Sequence, residues 1–255
     1  MFDAPEQVQP KPFELRVGLA QSATKGTEVG LDVPDSPFTL TVELILNGFT
    51  LLNGATTTRV TEVSPEDPYP YEVLRVVAGE DLPHDRRLTI LAMYYVEGRL
   101  IGIASRQIIV STKDIPVDGG ADTEAVAWVL DGAAERPDVE ILVLPGNDGR
   151  SMVWHYRSPH PEVGDSGGPL STPISDSTAT TMRRFTQGIE RRANLADLQE
   201  YTNGVAARIG RTVHTKVWQA LARAGKHVGG PPTVLLATWD PHVPWELARV
   251  PEVWL

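Results

Sequence analysis

The chain of 255 residues contains no cysteine. This absence excludes disulfide bonds, thiolate metal sites and a cysteine nucleophile anywhere in the chain. Proteins of a reducing compartment do without disulfides, so the composition fits a cytoplasmic location. A domain of this length buries roughly 70% of the surface that its unfolded chain exposes, so stability does not require covalent crosslinks.

Long hydrophobic runs and an excess of basic residues are also missing. No apolar stretch approaches the roughly 20 residues needed to cross a bilayer. The first 11 residues are polar and carry Asp3 and Glu6 where a signal peptide has basic residues and then an apolar segment. The net charge of −10 argues against general affinity for nucleic acids or anionic membranes, because both recruit Lys and Arg. The sequence predicts a soluble, cytoplasmic protein that binds neither.

Motifs for cofactors are absent as well. There is no Gly-rich phosphate loop and no dinucleotide fingerprint. His155 and His160, with Glu162 and Asp165, are the densest candidate metal cluster, but their spacing matches no standard zinc pattern. We therefore expect these side chains to lie at the surface, and we expect no metal or other cofactor.

Residues 12–112 show the alternation of apolar and polar residues that is typical of β-strands. The predicted strands are residues 14–19, 38–46, 57–63, 71–78, 87–96 and 100–110. The last two flank Glu97-Gly98, a short connection typical of a hairpin. Because no helical period separates them, these strands predict an antiparallel, Ig-like sandwich over residues 12–112.

A second β element or small β module is predicted over residues 121–160, after a Gly/Asp-rich linker at 114–123. Its strands are residues 126–130, 139–144 and 151–156, and the Gly-Asn-Asp-Gly sequence at 146–149 supplies residues that accept positive φ. These strands either form a separate sandwich or pack onto the first. Residues 161–181 are rich in Ser, Thr, Pro and Gly, which predicts an exposed polar linker.

The region from 183 to 255 has a different character. Asn194 is the predicted cap of one long helix, whose apolar residues recur at three- and four-residue steps from 195 to 221 and which ends near Gly225. The apolar run at 233–238 predicts a strand buried on both faces, as in a parallel sheet. Asp240 and His242 follow it, where α/β folds place functional loops. Because each parallel crossover takes a dozen residues or more, we expect the sheet to be completed after Leu255 or by another chain.

Residues 164–169 read Gly-Asp-Ser-Gly-Gly-Pro, which matches the nucleophile segment of trypsin-like serine peptidases, with Ser166 as the nucleophile. That mechanism needs a histidine base in a short Ala/Cys-flanked segment well upstream. His84, His155 and His160 have no such surroundings. The residues that follow the string are polar and then helical, where the family has barrel strands. We therefore favour a linker, and a serine hydrolase using Ser166 is an alternative.

The final segment, residues 232–248, combines a predicted strand, an acidic turn at Asp240, and Pro244-Trp245-Glu246. This combination resembles the start of the CHAT family, caspase-like peptidase domains common in bacteria. Pro244 suits the first turn of a helix, and Glu246 favours the positive N-terminal end of a helix. Trp245 and Leu247 can pack back on the sheet, and a generic strand-to-helix junction has no need for a tryptophan at position 245.

The upstream arrangement is also similar to actinobacterial members of this family, in which β-sandwich modules and a helix with a Gly-Arg step, here Gly210-Arg211, precede the strand. The resemblance implies a parent peptidase with a His-Cys dyad, both members of which lie downstream of the Pro-Trp-Glu segment. The expected function is therefore the N-terminal regulatory or interaction region of a CHAT-type peptidase, with the catalytic part absent. Its expected partner is a protein or the missing peptidase part. A stand-alone β-sandwich binding module is a further alternative.

Overall fold

A computed structural model describes residues 1–20, 36–80, 82, 87–111, 125–127, 135–146, 150–174, 178–191, 195–238 and 243–250. The chain forms two compact units, Met1–Ala134 and Glu135–Leu255. It is mainly β, with three helices in the second unit. No helix in these ranges is long and apolar enough to cross a membrane.

The first unit consists of short strands in two sheets. Its strands are Phe2–Asp3 (β1), Gln7–Val8 (β2), Phe13–Gly18 (β3), Phe38–Ile45 (β4), Phe49–Leu51 (β5), Thr58–Val63 (β6), Tyr71–Ala78 (β7), Arg87–Val96 (β8), Arg99–Val110 (β9) and Ala125–Ala127 (β10). One sheet has the order β1-β3-β7-β5, and the other has the order β10-β9-β8-β4-β6, with β2 beside β9. All pairs are antiparallel except β2 with β9.

Alternating side chains from both sheets build one hydrophobic core in this unit. Leu15 of β3 and Val76 of β7 meet Leu40 of β4 and Ile90 of β8 in the same buried cluster. This is the period-two pattern of the sequence, in which every second residue of a strand points to one face. The predicted hairpin at Glu97-Gly98 is confirmed, because β8 and β9 pair on either side of it and both turn residues have positive φ.

The second unit combines a four-stranded sheet with three helices. The strands are Val139–Pro145 (β11), Ser151–Arg157 (β12), Leu170–Pro173 (β13) and Val234–Thr238 (β14), and the helices are Thr178–Glu190 (α1), Leu195–Thr212 (α2) and Thr215–Val228 (α3). The sheet order is β13-β12-β11-β14, in which β11 and β14 are parallel and the other pairs antiparallel. A core cluster joins one face of β11 and β12 to α2 and α3 through Val139, Trp154, Ile209, Val217 and Ala220.

Several expectations from the sequence need correction here. The strand at 125–127 pairs with β9 of the first unit, so it does not belong to the predicted second β element. The predicted polar linker at 161–181 contains β13 and the start of α1, and Val163 and Leu170 within it are buried in the core of the second unit. Apolar residues are so sparse in this segment that composition alone does not reveal which of them are buried.

The single long helix predicted from residue 195 is also wrong, because two helices, α2 and α3, occupy that range. His214 adopts an extended conformation between them, and its Nδ1 accepts a hydrogen bond from the backbone N–H of Lys216, 3.1 Å away. His214 therefore caps a new helix. Val213 is buried and keeps the apolar period intact across the break, which conceals the break in the sequence.

The strand predicted to be buried on both faces is β14, and this prediction is wrong as well. β14 lies at the edge of its sheet, where Val234 is 44% exposed and Leu236 is 37% exposed. Four other expectations concern residues outside the described ranges: the linker at 114–123, the turn residues 147–149, the cap Asn194, and the pair Asp240 and His242.

The segment after β14 crosses α2 at a glycine. The backbone N–H of Arg249 donates to the carbonyl of Ala206 at 3.1 Å, and a Cβ placed on Gly210 would lie 1.9 Å from the carbonyl oxygen of Arg249. Trp218 of α3 also donates its indole N–H to the carbonyl of Gly210, at 3.1 Å. Any side chain at position 210 would therefore push residues 243–250 off the helix.

We expect Gly210→Ala to lower the free energy of unfolding by about 1–3 kcal/mol, which is the usual cost of overpacking. Gly204→Ala is the matched control in the same helix, because nothing lies within 4 Å of a Cβ at that position. The control is expected to be neutral or to stabilise the helix by about 0.5–1 kcal/mol. Urea unfolding followed by tryptophan fluorescence measures the free energy of unfolding of both variants. Equal effects of the two substitutions would contradict the close contact between Gly210 and the segment that crosses it.

Candidate functional site

Asp138, just before β11, makes polar contacts with several of the segments singled out in the sequence. Its Oδ2 accepts the backbone N–H of Thr233 at 2.7 Å and the Thr233 hydroxyl at 2.8 Å. Its own N–H donates to the carbonyl of Thr233 at 2.9 Å. Asp138 and Thr233 thus fasten the beginnings of the parallel strands β11 and β14 to each other.

The other carboxylate oxygen of Asp138 holds the segment that follows β12. His160 Nε2 lies 2.8 Å from Asp138 Oδ1, and the hydroxyl of Ser158 donates to the Asp138 carbonyl at 2.6 Å. The contact with His160, followed by the two from Thr233, lowers the pKa of the Asp138 carboxyl. Asp138 is therefore charged near neutral pH, and it joins three chain segments.

The same segment also rests on α3. The His160 ring lies 4.4 Å from the His227 ring, and His227 Nδ1 is 3.5 Å from Glu162 Oε2. Arg223 donates to the carbonyl of Val163 at 3.1 Å. These contacts hold residues 158–163 against the C-terminal half of α3. The first residues of the predicted linker are therefore packed against this helix.

Ser166 does not belong to a catalytic triad in this structure. Its backbone N–H donates to the carbonyl of Tyr156 at 2.9 Å, and Asp165 Oδ1 accepts the N–H of Gly167 at 2.8 Å. Within the described part of the chain, no hydrogen bond links the Ser166 hydroxyl to a histidine, and the Nε2 of His160 already faces Asp138. Nucleophilic attack by a serine requires a base on its hydroxyl, and none of the residues that the structure describes supplies one to Ser166.

The four candidate metal ligands of the sequence do not converge. His155 lies within β12 and is only 8% exposed, which corrects the expectation that it lies at the surface. Burial lowers its pKa to about 4, so its imidazole is neutral near pH 7. Among the described residues, no group of three His, Cys, Asp or Glu side chains is arranged to hold a metal ion.

Of the residues that carry the CHAT resemblance, Trp245 has the most extensive packing. It is 6% exposed and meets Trp154 of β12 edge-to-face, with ring centroids 5.1 Å apart. Pro244 precedes a single 3-10 turn, Trp245–Leu247, which carries Glu246. The structure therefore has a short turn here rather than an α-helix. Trp245 packs back on the sheet as predicted, whereas Leu247, for which the same packing was predicted, is 38% exposed.

A shallow groove of about 650 Å³ runs along one face of α2. Tyr201 and Val205 form part of its lining, together with acidic and basic side chains: Asp197, Glu200, Arg191 and Arg208. Because charges of both signs line it, the groove does not select one class of ligand. Neither this groove nor the Asp138–Thr233 contact, which joins residues 95 positions apart, has a local signal in the sequence.

No protein-family model matches the chain, and no curated protein matches it significantly. Among solved structures that match, the crystal structure of the YadV chaperone is 12% identical. That match covers 69% of this chain and 78% of the chaperone chain, with a TM-score of 0.21. A TM-score this low carries no argument about fold or function.

We expect Asp138→Asn to lower the free energy of unfolding of the second unit by about 0.5–1.5 kcal/mol at pH 7, because Thr233 and His160 lose a charged acceptor at a solvent-accessible position. A lowered pKa means that Asp138 stabilises the fold fully above its unfolded pKa of about 3.9. That contribution is lost as the pH falls through the lower pKa of the folded state. Denaturation between pH 7 and pH 2 measures it, and the difference from wild type must shrink in acid.

We expect no labelling of the folded chain by a serine-directed fluorophosphonate, because no residue in the described ranges places a base on the Ser166 hydroxyl. Ser166→Ala should give the same background signal. Strong labelling of the wild type that Ser166→Ala abolishes would instead support the trypsin-like alternative.

Proposed function

We propose that this chain is a recognition and regulatory region, without catalysis of its own, that belongs to a CHAT-type caspase-like cysteine peptidase. The supporting observation is the parallel pair β11 and β14, with α2 and α3 between them in sequence and Trp245 packed on the sheet directly after. Parallel pairs with helical connections are the construction principle of α/β domains.

The first unit supports the recognition part of the proposal. Its order β1-β3-β7 in one sheet and β9-β8-β4-β6 in the other resembles the ABE and GFC sheets of immunoglobulin-like sandwiches. Such sandwiches recur as binding modules. Under the proposal this unit contacts a protein partner, and the segment from Glu135 onward joins it to the peptidase.

The chemistry of the chain supports placing catalysis elsewhere. The sequence has no cysteine, so a His-Cys dyad would have to lie in a different segment. The docked segment around Ser166 uses its polar groups in turns and in contacts with β11 and α3. These residues stabilise the positions of the strands.

A stand-alone β-sandwich binding module is the second candidate. Its support is the compactness of the first unit, Met1–Ala134, which has a hydrophobic core of its own. This candidate requires no peptidase. The experiment that tests the main proposal distinguishes the two.

The coding sequence that follows the codon of Leu255 tests the proposal. We expect a His-Gly pair at the end of a strand and, further on, a cysteine at the end of another strand. The extended polypeptide should react with a cysteine-directed irreversible peptide inhibitor, and its Cys→Ala variant should not. Residues 1–255 alone are the negative control. A coding sequence without these residues, or an extended protein that does not react, contradicts the proposal and leaves the stand-alone module.

A further inference from the structure

One exposed face of α2 carries charges that are arranged symmetrically about a glycine. Five residues on this face follow one another at steps of three, four, four and three positions, so they form one line along the helix. In chain order they are Asp197, Glu200, Gly204, Arg208 and Arg211, and all five are exposed. We call this line the α2 stripe. Two acidic residues precede its glycine, and two basic residues follow it at the same distances.

The glycine at the centre of the stripe is not explained by packing inside the chain. Within the described residues and outside its own helix, nothing lies within 4 Å of a Cβ placed on Gly204. A glycine in the interior of a helix destabilises that helix relative to alanine. The groove along α2 passes Gly204, where the missing side chain leaves the helix backbone at the surface. A glycine at such a position allows a second backbone to approach closely.

The inner charges of the stripe are not explained by the helix itself either. The helix dipole favours a negative charge in the first turn and a positive charge in the last, which accounts for Asp197 and Arg211. Glu200 and Arg208 lie outside these two turns. Each has a like charge three residues away, which is unfavourable, and Gly204 four residues away, where an opposite charge would be favourable. The arrangement therefore fits charges on a second helix better than it fits α2 alone.

We propose that the α2 stripe is the interface of a twofold dimer, in which α2 packs antiparallel on α2 of a second copy of this chain. The two helices cross at Gly204, so this residue lies opposite itself. Positions equally far from Gly204 on either side then lie opposite each other. Glu200 faces Arg208 of the second copy, and Asp197 faces Arg211 of the second copy. Each pair occurs twice, because a twofold interface repeats every contact.

Charge complementarity identifies a second copy as the occupant of this face. A helix that fits the stripe needs basic residues opposite the acidic ones, a small residue at the centre, and acidic residues opposite the basic ones. α2 meets this description when it runs in the opposite direction, whereas in a parallel pair like charges would meet. Elsewhere two chains with a net charge of −10 repel each other, so the attraction is confined to the stripe. This inference goes beyond the proposed function and does not depend on a peptidase.

Sedimentation velocity of residues 1–255 tests the association. The mass should rise with concentration from the 27.8 kDa of one chain to twice that value, and about 0.5 M NaCl should weaken the association by screening the ion pairs. Glu200→Arg and, independently, Arg208→Glu bring like charges together, and each should weaken the association roughly tenfold. Glu62→Arg makes the same change of charge at an exposed residue of β6, and this control should associate like the wild type.

A mixture of the two charge variants tests the antiparallel register. Glu200→Arg has two basic residues at the inner positions, and Arg208→Glu has two acidic ones. Each variant therefore supplies the charges that the other lacks, and an equimolar mixture should associate about as well as the wild type. A wild type that is monomeric at every concentration overturns the proposal. A mixture of folded variants that does not associate overturns it too, as does association that neither variant weakens, and both results would assign the stripe to a different occupant.

Single cysteines test the crossing point, since the chain has none of its own. Helices that cross at Gly204 bring the two Cα atoms of this position within the roughly 4.4–6.8 Å that a disulfide spans. We expect Gly204→Cys to form a covalent dimer under mild oxidation. Gln199→Cys, which is exposed on another side of the same helix, is the matched control and should stay monomeric. No crosslinking of Gly204→Cys, or equally fast crosslinking of Gln199→Cys, overturns the proposal.

Discussion

The second unit depends on the parallel pairing of β11 with β14. Everything between them in sequence, namely β12, β13 and all three helices, forms the connection that this pair closes. Asp138 secures the closure at the point where both strands begin, by accepting the N–H and the hydroxyl of Thr233. Bringing together groups 95 positions apart has an entropic cost, which charge-assisted hydrogen bonds and the apolar contacts of the sheet offset.

Most of the long strands of the first unit could be predicted from the sequence, because they have one buried and one solvated face. Leu15 and Val17, or Leu40 and Val42, mark the buried face at every second position. The hairpin at Glu97-Gly98 was predictable because a short connection joins two β-type segments, and Gly98 suits the positive φ that it adopts in the turn. Pairing between distant strands, such as β3 with β7, has no local signal and emerged only from the structure.

The second unit was harder to predict from the sequence. Its sequence patterns indicate local structure, whereas the wrong predictions concern which elements lie next to each other in the fold. An apolar run such as that of β14 suits the centre or the edge of a sheet, and sheet order is a tertiary property. The break at His214 was hidden because Val213 and Val217 continue the helical period on both sides. α1 was missed since Phe185 and Ile189 stand among polar residues, and Ile189 is itself 38% exposed.

At the candidate site, too, the sequence shows which residue types are present but not how the fold places them. Gly164 to Pro169 carries the letters of a peptidase nucleophile segment, yet the N–H of Ser166 and the carboxylate of Asp165 are both used in local hydrogen bonds. Trp245 is the opposite case, because its position after the strand and turn predicted that it packs on the sheet, and it contacts Trp154 there. The polar groups of residues 158–169 thus hold the segment in place, while the apolar groups of β14 stay in contact with water.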